Sequence, residues 1–257
     1  MILAIDIGNT NIVLGVFNQD KLITSFRLAT DHLKTTDEYA SIIMLLLERN
    51  KIEQSGIKGI IISSVVPSLI YTFNKLCRKY FYQEPIIVGP GIKTGVKIHI
   101  DNPREVGADR IVNAAAAIKK YGAPVIVVDF GTATTFDVID KNSCYIGGLI
   151  CPGIKLSIKA LHTGTAKLPE VEIGKPKRVV GTNTITSIQS GIYYGYLSMI
   201  DGIIEKIIDE LSCDTKLLKV IATGGLGSIF VEESKYLDIY EPNLTLEGLR
   251  VIYEKNN

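Results

Sequence analysis

One short block occurs twice in this chain, and the repeat constrains the fold more than any other feature. Residues 2–17 read ILAIDIGNTNIVLGVF and residues 125–139 read VIVVDFGTATTFDVI. Displaced by 123 positions, Asp6 meets Asp129, Gly8 meets Gly131 and Asn9 meets Thr132. In each copy an apolar strand ends on an aspartate and a glycine follows two residues on. Small hydroxyl or amide residues come next, and then a second apolar strand begins. Such a glycine lets backbone approach a phosphate without a Cβ in the way. An ionised carboxylate beside a buried strand costs free energy unless it is paired or binds a cation. A single copy would read as an ordinary tight hairpin. Two copies predict two domains in tandem, with the turns facing each other across a cleft to hold a nucleotide's phosphates and the carboxylates on the metal side.

The length agrees with two domains: 257 residues form about two units of ordinary size. Hydrophobic residues make up 46% and charged residues 21%, which indicates a globular chain able to bury a full core. The net charge is +1 and there is no basic block, which argues against nucleic acid as the main partner. The cysteines, Cys77, Cys144, Cys151 and Cys213, form no CxxC pair, and only His32, His99 and His162 could join them. That disfavours zinc, and the scarcity of cysteine points to reduced thiols in the cytoplasm. No positive leader region precedes Asp6, and no apolar run approaches the ~18 residues of a membrane span.

Along the chain, strands are predicted over 2–6, 12–17 and 21–28, joined by Gly8-Asn9-Thr10-Asn11 and Asn18-Gln19-Asp20. Helical spacing marks 37–50, a strand 58–63, a helix from Pro67 to about Tyr80 and a short strand 85–88. After a Gly-rich, β-like stretch over 89–100, a helix begins at Pro103 and stops at Gly122-Ala123-Pro124. The plan then repeats with strands 125–129, 134–139 and 144–150 and a helix from Pro152. Residues 162–181 lack periodicity and read as a loop or flap. A long helix over 183–211, strands 217–222 and 237–240, and a final helix 244–255 complete the chain. Mixed-sheet α/β domains in tandem follow, with boundaries set at 1–118 and 119–257.

Several motifs carry chemistry. In Asp129-Phe130-Gly131-Thr132-Ala133-Thr134-Thr135 the hydroxyls suit phosphate oxygens, although threonine also simply favours strands. Asp137 and Asp140 read as surface acids. Thr223-Gly224-Gly225-Leu226-Gly227 follows a strand and exposes backbone that suits an adenine ring or ribose. In Asn102-Pro103-Arg104-Glu105-Val106-Gly107-Ala108-Asp109-Arg110, the last two residues diverge by about a hundred degrees on a helix, so they do not pair with each other. Asp109 suits a general base and Arg110 a fork for a substrate carboxylate; solvated helix charges are an equally good reading. Gly89 to Gly95 lacks P-loop spacing. Gly147-Gly148 reads as a strand bulge or close backbone contact, and Thr182-Asn183-Thr184 as an ordinary helix N-cap or, alternatively, a substrate contact at the mouth of a cleft.

Over its whole length the chain resembles the type III pantothenate kinases. The blocks that carry the resemblance are DIGNTN, DNPREVGADRIVNA, VVDFGTATTFDVI, GGLICPGI, GTNTITSIQSGIYYGY and ATGGLG. The first and third are shared by a wider superfamily of acetate and sugar kinases, heat-shock ATPases and actin; the GADR and GTNT…SGIYYG blocks are more specific. The resemblance implies two tandem ribonuclease-H-like domains of the actin-like ATPase type, with mixed sheets flanked by helices. It implies that Asp6, Ile7, Gly8, Asn9, Thr10, Asn11, Ile12 and Val13 contact ATP, as does Thr132. It implies that Gly107, Ala108, Asp109 and Arg110 line a pantothenate pocket, with Asp109 as proton acceptor and Thr184 a further contact. It also implies a monovalent cation (K+ or NH4+) at Asp129 and a homodimer. The paired Asp turns themselves suggest Mg2+ on the phosphates, with Asp6 as its anchor. One position departs from the pattern. Where some relatives carry a phosphate-reaching lysine, this chain has Val13, so charge neutralisation rests more on cations and backbone amides. A same-fold kinase for another small hydroxyl substrate and a nucleotide-sensing regulator are the alternatives. The GADR arginine speaks for an acidic substrate over a plain sugar.

Overall fold

Each copy of the repeated block folds as an antiparallel strand pair, and each pair seeds one sheet. In a computed structural model that describes residues 1–211 and 216–257, strands β1 (Ile2–Ile7), β2 (Asn11–Asn18) and β3 (Lys21–Ala29) form a meander. Strands β4 (Gly59–Ser64) and β5 (Ile86–Ile87) add in parallel, giving the order β3-β2-β1-β4-β5. One face carries Leu3, Ile5, Ile7, Ile12 and Leu14 and is covered by helices α1 (Thr36–Arg49) and α2 (Pro67–Leu76). Alternation along the strands sends Ala4, Phe17 and Ile61 to the other face. There they pack with Val112 and Ala115 of α3 (Ala108–Tyr121) and with Leu246, Leu249 and Ile252 of the C-terminal helix.

The second sheet repeats the scheme with β7 (Val125–Phe130), β8 (Ala133–Ile139) and β9 (Cys144–Pro152), followed by the parallel strands β10 (Lys219–Thr223) and β11 (Ile239–Tyr240). A short strand β6 (Lys97–Ile98) closes the order β11-β10-β7-β8-β9-β6. Helices α4 (Ile154–Thr163), α5 (Thr184–Leu211) and the short α6 (Ser228–Val231) accompany it. Its core holds Phe130, Phe136, Tyr193, Ile200 and Phe230, with Tyr193 stacked on Phe230 at 5.5 Å. Both units are mixed α/β, of the ribonuclease-H-like type. Among the described residues no helix is long and apolar enough to cross a membrane. Cys213 lies outside the described residues.

The compact units are Met1–Lys97 with Asp101–Lys120 and Leu244–Asn257, and Ile98–Ile100 with Tyr121–Asn243. They differ from the ranges 1–118 and 119–257 chiefly at α7 (Leu244–Lys255), which returns to the first sheet. The reason is its apolar stripe. Leu246, Leu249 and Ile252 lie at helical spacing and complete the second face of the first sheet. Gly248 permits this: a Cβ there would lie 2.0 Å from the Val112 carbonyl oxygen.

Local differences have local causes. The helix expected to reach Tyr80 passes at Cys77–Phe81 into a π-type turn, which Tyr82 ends in left-handed conformation (φ 55°). The helix expected from Pro103 starts only at Ala108. The Asn102 side chain accepts from the Arg104 N–H, closing a separate 3₁₀ turn over Pro103–Glu105, and Val106 is extended. Within 162–181, His162 and Thr163 belong to the last turn of α4, and the rest has no regular structure. That segment is tied to α5 by Gln189 Nε2 donating to the Glu172 carbonyl (3.0 Å) and Ser190 donating to the Val179 carbonyl. The register shift opposite Gly147, at φ 128°, is the expected bulge. Asp137 is not a surface acid as expected. It is fully buried, and Tyr145 donates to its Oδ1 at 3.0 Å. Alternation along β8 puts it on the face opposite Phe136 and Val138, and that face is covered as well. Asp140 instead organises a turn, accepting from the N–H groups of Asn142 (2.9 Å) and Cys144 (2.8 Å).

Candidate active site

In the first unit, the site is built on the second face of the sheet, past the end of its apolar packing. Asp6 pairs across to Val13 on β2 and to Ser63 on β4. Directly opposed residues share a face, so Ser63, Asp6 and Val13 form a row. Ser63 is fully buried and donates its hydroxyl to Asp6 Oδ1. The turn after Asp6 closes with the Gly8 N–H donating to the Asn11 carbonyl at 3.0 Å. Thr30 fixes it further, donating Oγ1 to the Gly8 carbonyl at 2.6 Å and its N–H to the Thr10 carbonyl at 3.0 Å. Asn9 and Thr10 are exposed at its tip, so the backbone of the turn is rigidly held and open to a ligand.

Asp109 opens α3, and α3 packs through Ala108, Val112 and Ala115 on that same face. Its Oδ1 accepts from the Arg110 N–H at 2.8 Å. Gly107 makes room: a Cβ there would lie 2.6 Å from Asp109 Oδ1. Burial pushes the Asp6 carboxyl up to about 7. The Ser63 hydrogen bond opposes the rise and the charge of Asp109 adds to it. Burial also raises Asp109, against the Arg110 N–H and guanidinium, which lower it. The structure thus brings the Asp6 turn, Ser63, Gly107 and Asp109 together as a pair of mutually repelling, partly desolvated carboxylates. That is an arrangement suited to holding a cation and to accepting a proton.

In the second unit the corresponding row is Thr223–Asp129–Thr135. The turn closes in the same way, with the Gly131 N–H donating to the Ala133 carbonyl at 3.1 Å, and it leaves Thr132 exposed. Two glycines from elsewhere are fitted against it. A Cβ on Gly153 would lie 2.1 Å from the Thr132 carbonyl oxygen. One on Gly224, whose φ is +84°, would lie 2.5 Å from Asp129 Oδ1. The Gly224 segment, expected from sequence to meet a base or ribose, therefore lies against the carboxylate turn itself. Thr184 is exposed at the start of α5, where Asn183 Oδ1 caps the helix by accepting from the Thr186 N–H at 3.0 Å. With Leu161, Leu168, Ser187, Ile188 and Gly191 it lines a cavity of about 590 Å3. Sequence reading missed Ser63. The signal was present, because Ser63 ends an apolar strand as Asp6 does, but only the parallel register makes them neighbours.

The family model of type III pantothenate kinases matches residues 2–206. The chain belongs to the type III pantothenate kinase family. Over 256 residues it is 52% identical to the type III pantothenate kinase of Halalkalibacterium halodurans, with all of both chains covered. It is 51% identical to that of Bacillus cytotoxicus, covering all of this chain and 97% of the relative. Among solved structures, the activator of 2-hydroxyisocaproyl-CoA dehydratase from Clostridium difficile with bound ADPNP matches with a TM-score of 0.55. The match has 10% identity and covers 98% of this chain and 92% of the other, a likeness of fold alone.

Proposed function

We propose that this chain transfers the γ-phosphoryl group of ATP to the hydroxyl of pantothenate, giving 4'-phosphopantothenate, the first step of coenzyme A biosynthesis. The observation that carries the reading is the Asp6–Asp109 pair. Two carboxylates share one polar sheet end, on the residues that the family resemblance assigns to nucleotide and substrate. Asp109 accepts the hydroxyl proton as the oxygen bonds to γ-phosphorus and the bond to the β-phosphate oxygen breaks. A base whose carboxyl is raised from the ordinary range holds that proton better at the moment of transfer. Positioning and electrostatics do most of the remaining work.

The Asp6 turn from Asp6 to Val13 offers backbone N–H groups to phosphate, and Thr132 adds a hydroxyl. Asp6 fits Mg2+. It is a hard oxygen donor, its Oδ1 is held by Ser63, and Oδ2 takes no hydrogen bond among the described residues. Bound there, Mg2+ would neutralise phosphate charge. Asp129 fits K+ or NH4+, for one carboxylate among turn carbonyls is a donor set of low charge. Among the described residues no group of three or more His, Cys, Asp or Glu side chains is clustered for a metal. Arg110 holds the pantothenate carboxylate in its fork beside Gly107 and Ala108, and Thr184 is a further contact.

The same reading includes a homodimer in the cytoplasm. Exposed Ile150 on β9, Leu156 on α4, Ile185 on α5 and Val179-Val180 in the intervening segment support self-association through the second unit. Cys77, Cys144 and Cys151 are free thiols, which suits a reducing compartment. The test is incubation with ATP, Mg2+ and pantothenate, with and without K+, read by mass spectrometry. Potassium-dependent phosphopantothenate is expected, and no product under either condition refutes the reading. Asp109→Asn should bind ATP and lose turnover; near wild-type turnover would overturn the assignment of Asp109 as base.

A further inference from the structure

The row through Asp6 does not end at Val13. On β3, Arg27 is the direct partner of Val13, so Ser63, Asp6, Val13 and Arg27 run in line across four strands. Alternation confirms that they share a face. Phe26 and Leu28, on either side of Arg27, pack into the core of the opposite face. Val13 packs with Ala4, Phe17 and Ala108, on the face where Asp109 opens α3. Strands lie about 4.8 Å apart, so Arg27 stands about 10 Å from Asp6 along the row. An extended arginine side chain spans most of that distance, and valine between them is low enough to be bridged.

Arg27 is exposed, and among the described residues no carboxylate pairs with it. Another arginine packed on this face differs. Arg250 lies over the Phe17 ring, bound to Glu247 at 3.2 Å and Glu254 at 2.6 Å. Arg27 is thus an uncommitted guanidinium beside a phosphate-competent turn that otherwise presents carboxylates. The second unit shows that this is not a generic consequence of the repeat. Its row, Thr223–Asp129–Thr135, ends on Ile150. The first row therefore carries its own fixed cation and the second does not.

We propose that Arg27 is a phosphate-binding residue of the nucleotide site, supplying from β3 the positive charge that the turn over residues 6–13, which holds no lysine or arginine, does not carry. A planar guanidinium suits the terminal phosphates, whose charge grows on the leaving group during transfer. The proposal rests on the reading of the Asp6 turn as an ATP site, and its test separates the two. Binding of ATP with Mg2+, of tripolyphosphate with Mg2+ and of adenosine is measured by calorimetry on wild type, Arg27→Met and Arg27→Lys, alongside pantothenate turnover. A charge-assisted contact predicts that Arg27→Met weakens ATP and tripolyphosphate by about ten- to hundredfold. Adenosine should be unchanged, with Arg27→Lys intermediate. Adding Val13→Lys to Arg27→Met should recover part of the loss, because the new ammonium stands one strand nearer in the same row. ATP binding by Arg27→Met equal to wild type, with turnover intact, overturns the proposal and leaves the kinase reading standing. So does equal weakening of adenosine and ATP. Weakened ATP binding in a chain whose wild type leaves pantothenate unphosphorylated supports the proposal and sinks the substrate reading.

Discussion

Asp6 should make the folded protein less stable as pH rises towards neutrality, and Asp6→Asn should remove that dependence. Burial raises its carboxyl from 3.8 to about 7 in the folded chain. The folded state then holds a proton that the unfolded chain releases, so stability falls as pH climbs through that window and levels off above it. At about 1.36 kcal/mol per pH unit the rise from 3.8 to about 7 sets a ceiling of about 4 kcal/mol, lowered by the part of the side chain that reaches water. Between pH 5 and pH 8 only the span from pH 5 to about 7 contributes, or about 2.7 kcal/mol. For a chain of this size that is roughly 5–10 °C in melting temperature. Asparagine keeps an oxygen for the Ser63 hydroxyl without the charge. The assay is thermal unfolding of both proteins from pH 5 to pH 8 in metal-free buffer. The melting-temperature advantage of the variant should grow across the range, while its ATP-dependent turnover is lost. ATP with Mg2+ should narrow the gap at pH 8 by favouring the ionised wild-type carboxylate. Parallel pH profiles for the two proteins would refute the desolvation argument.

Two further substitutions test the close approaches on which the sites depend, and a third tests the buried seam of α7. Gly107→Ala places a Cβ 2.6 Å from Asp109 Oδ1. It should move the carboxylate and reduce kcat at least tenfold, with about 1 kcal/mol or less lost in a denaturant titration. Gly224→Ala adds a positive-φ penalty to a clash with Asp129 and the Phe130 backbone. A loss of about 2–4 kcal/mol and a weakened response to K+ are expected, measured by unfolding and by turnover against K+ concentration. Leu249→Ala, in the fully buried seam of α7, should cost about 2–5 kcal/mol in unfolding experiments and leave the KM for pantothenate near wild type in the fraction that stays folded.

What the sequence disclosed and what it concealed divide along a physical line. Strand–turn–strand blocks, apolar periodicities and helix punctuation are local, and they gave the two mixed sheets and the turns at Asp6 and Asp129. Long-range register is not local. Ser63 lies 57 residues from Asp6 and becomes its hydrogen-bond donor only because β4 pairs in parallel with β1. Arg27 joins the same row only through two antiparallel registers, the nearer of which shifts at Val16/Phe17 before reaching the end of β2. Asp137 looked like a surface acid because polarity at one position says nothing about which face of β8 it occupies; the alternation sets that, and Tyr145 compensates the burial. The C-terminal helix was amphipathic on inspection, but its stripe does not name the sheet that receives it. That was decided by the unfilled second face above Ala4, Phe17 and Ile61.

The same logic explains why two copies of one block are not chemically equivalent. The repeat delivers a carboxylate and a glycine turn in each unit, and the strands that pair beside each turn differentiate them. Ser63 gives its hydroxyl to Asp6, whereas Thr223, at the matching place beside Asp129, donates to the Glu241 carbonyl at 2.7 Å. Asp6 also feels the charge of Asp109 from α3, while Asp129 is crowded by the backbone at Gly224. On the proposed reading, the carboxylate beside a hydroxyl and a second carboxylate holds a divalent cation against phosphate, and the one packed against glycine backbone holds a cation that takes mostly neutral oxygens. If that division is right, Asp129→Asn should lower the response of turnover to K+ while Mg2+-dependent ATP binding persists, and Asp6→Asn should abolish the Mg2+ dependence of ATP binding. Calorimetric titration of each variant with ATP, with and without each cation, reads both effects. Interchanged phenotypes would show that the two turns have exchanged roles.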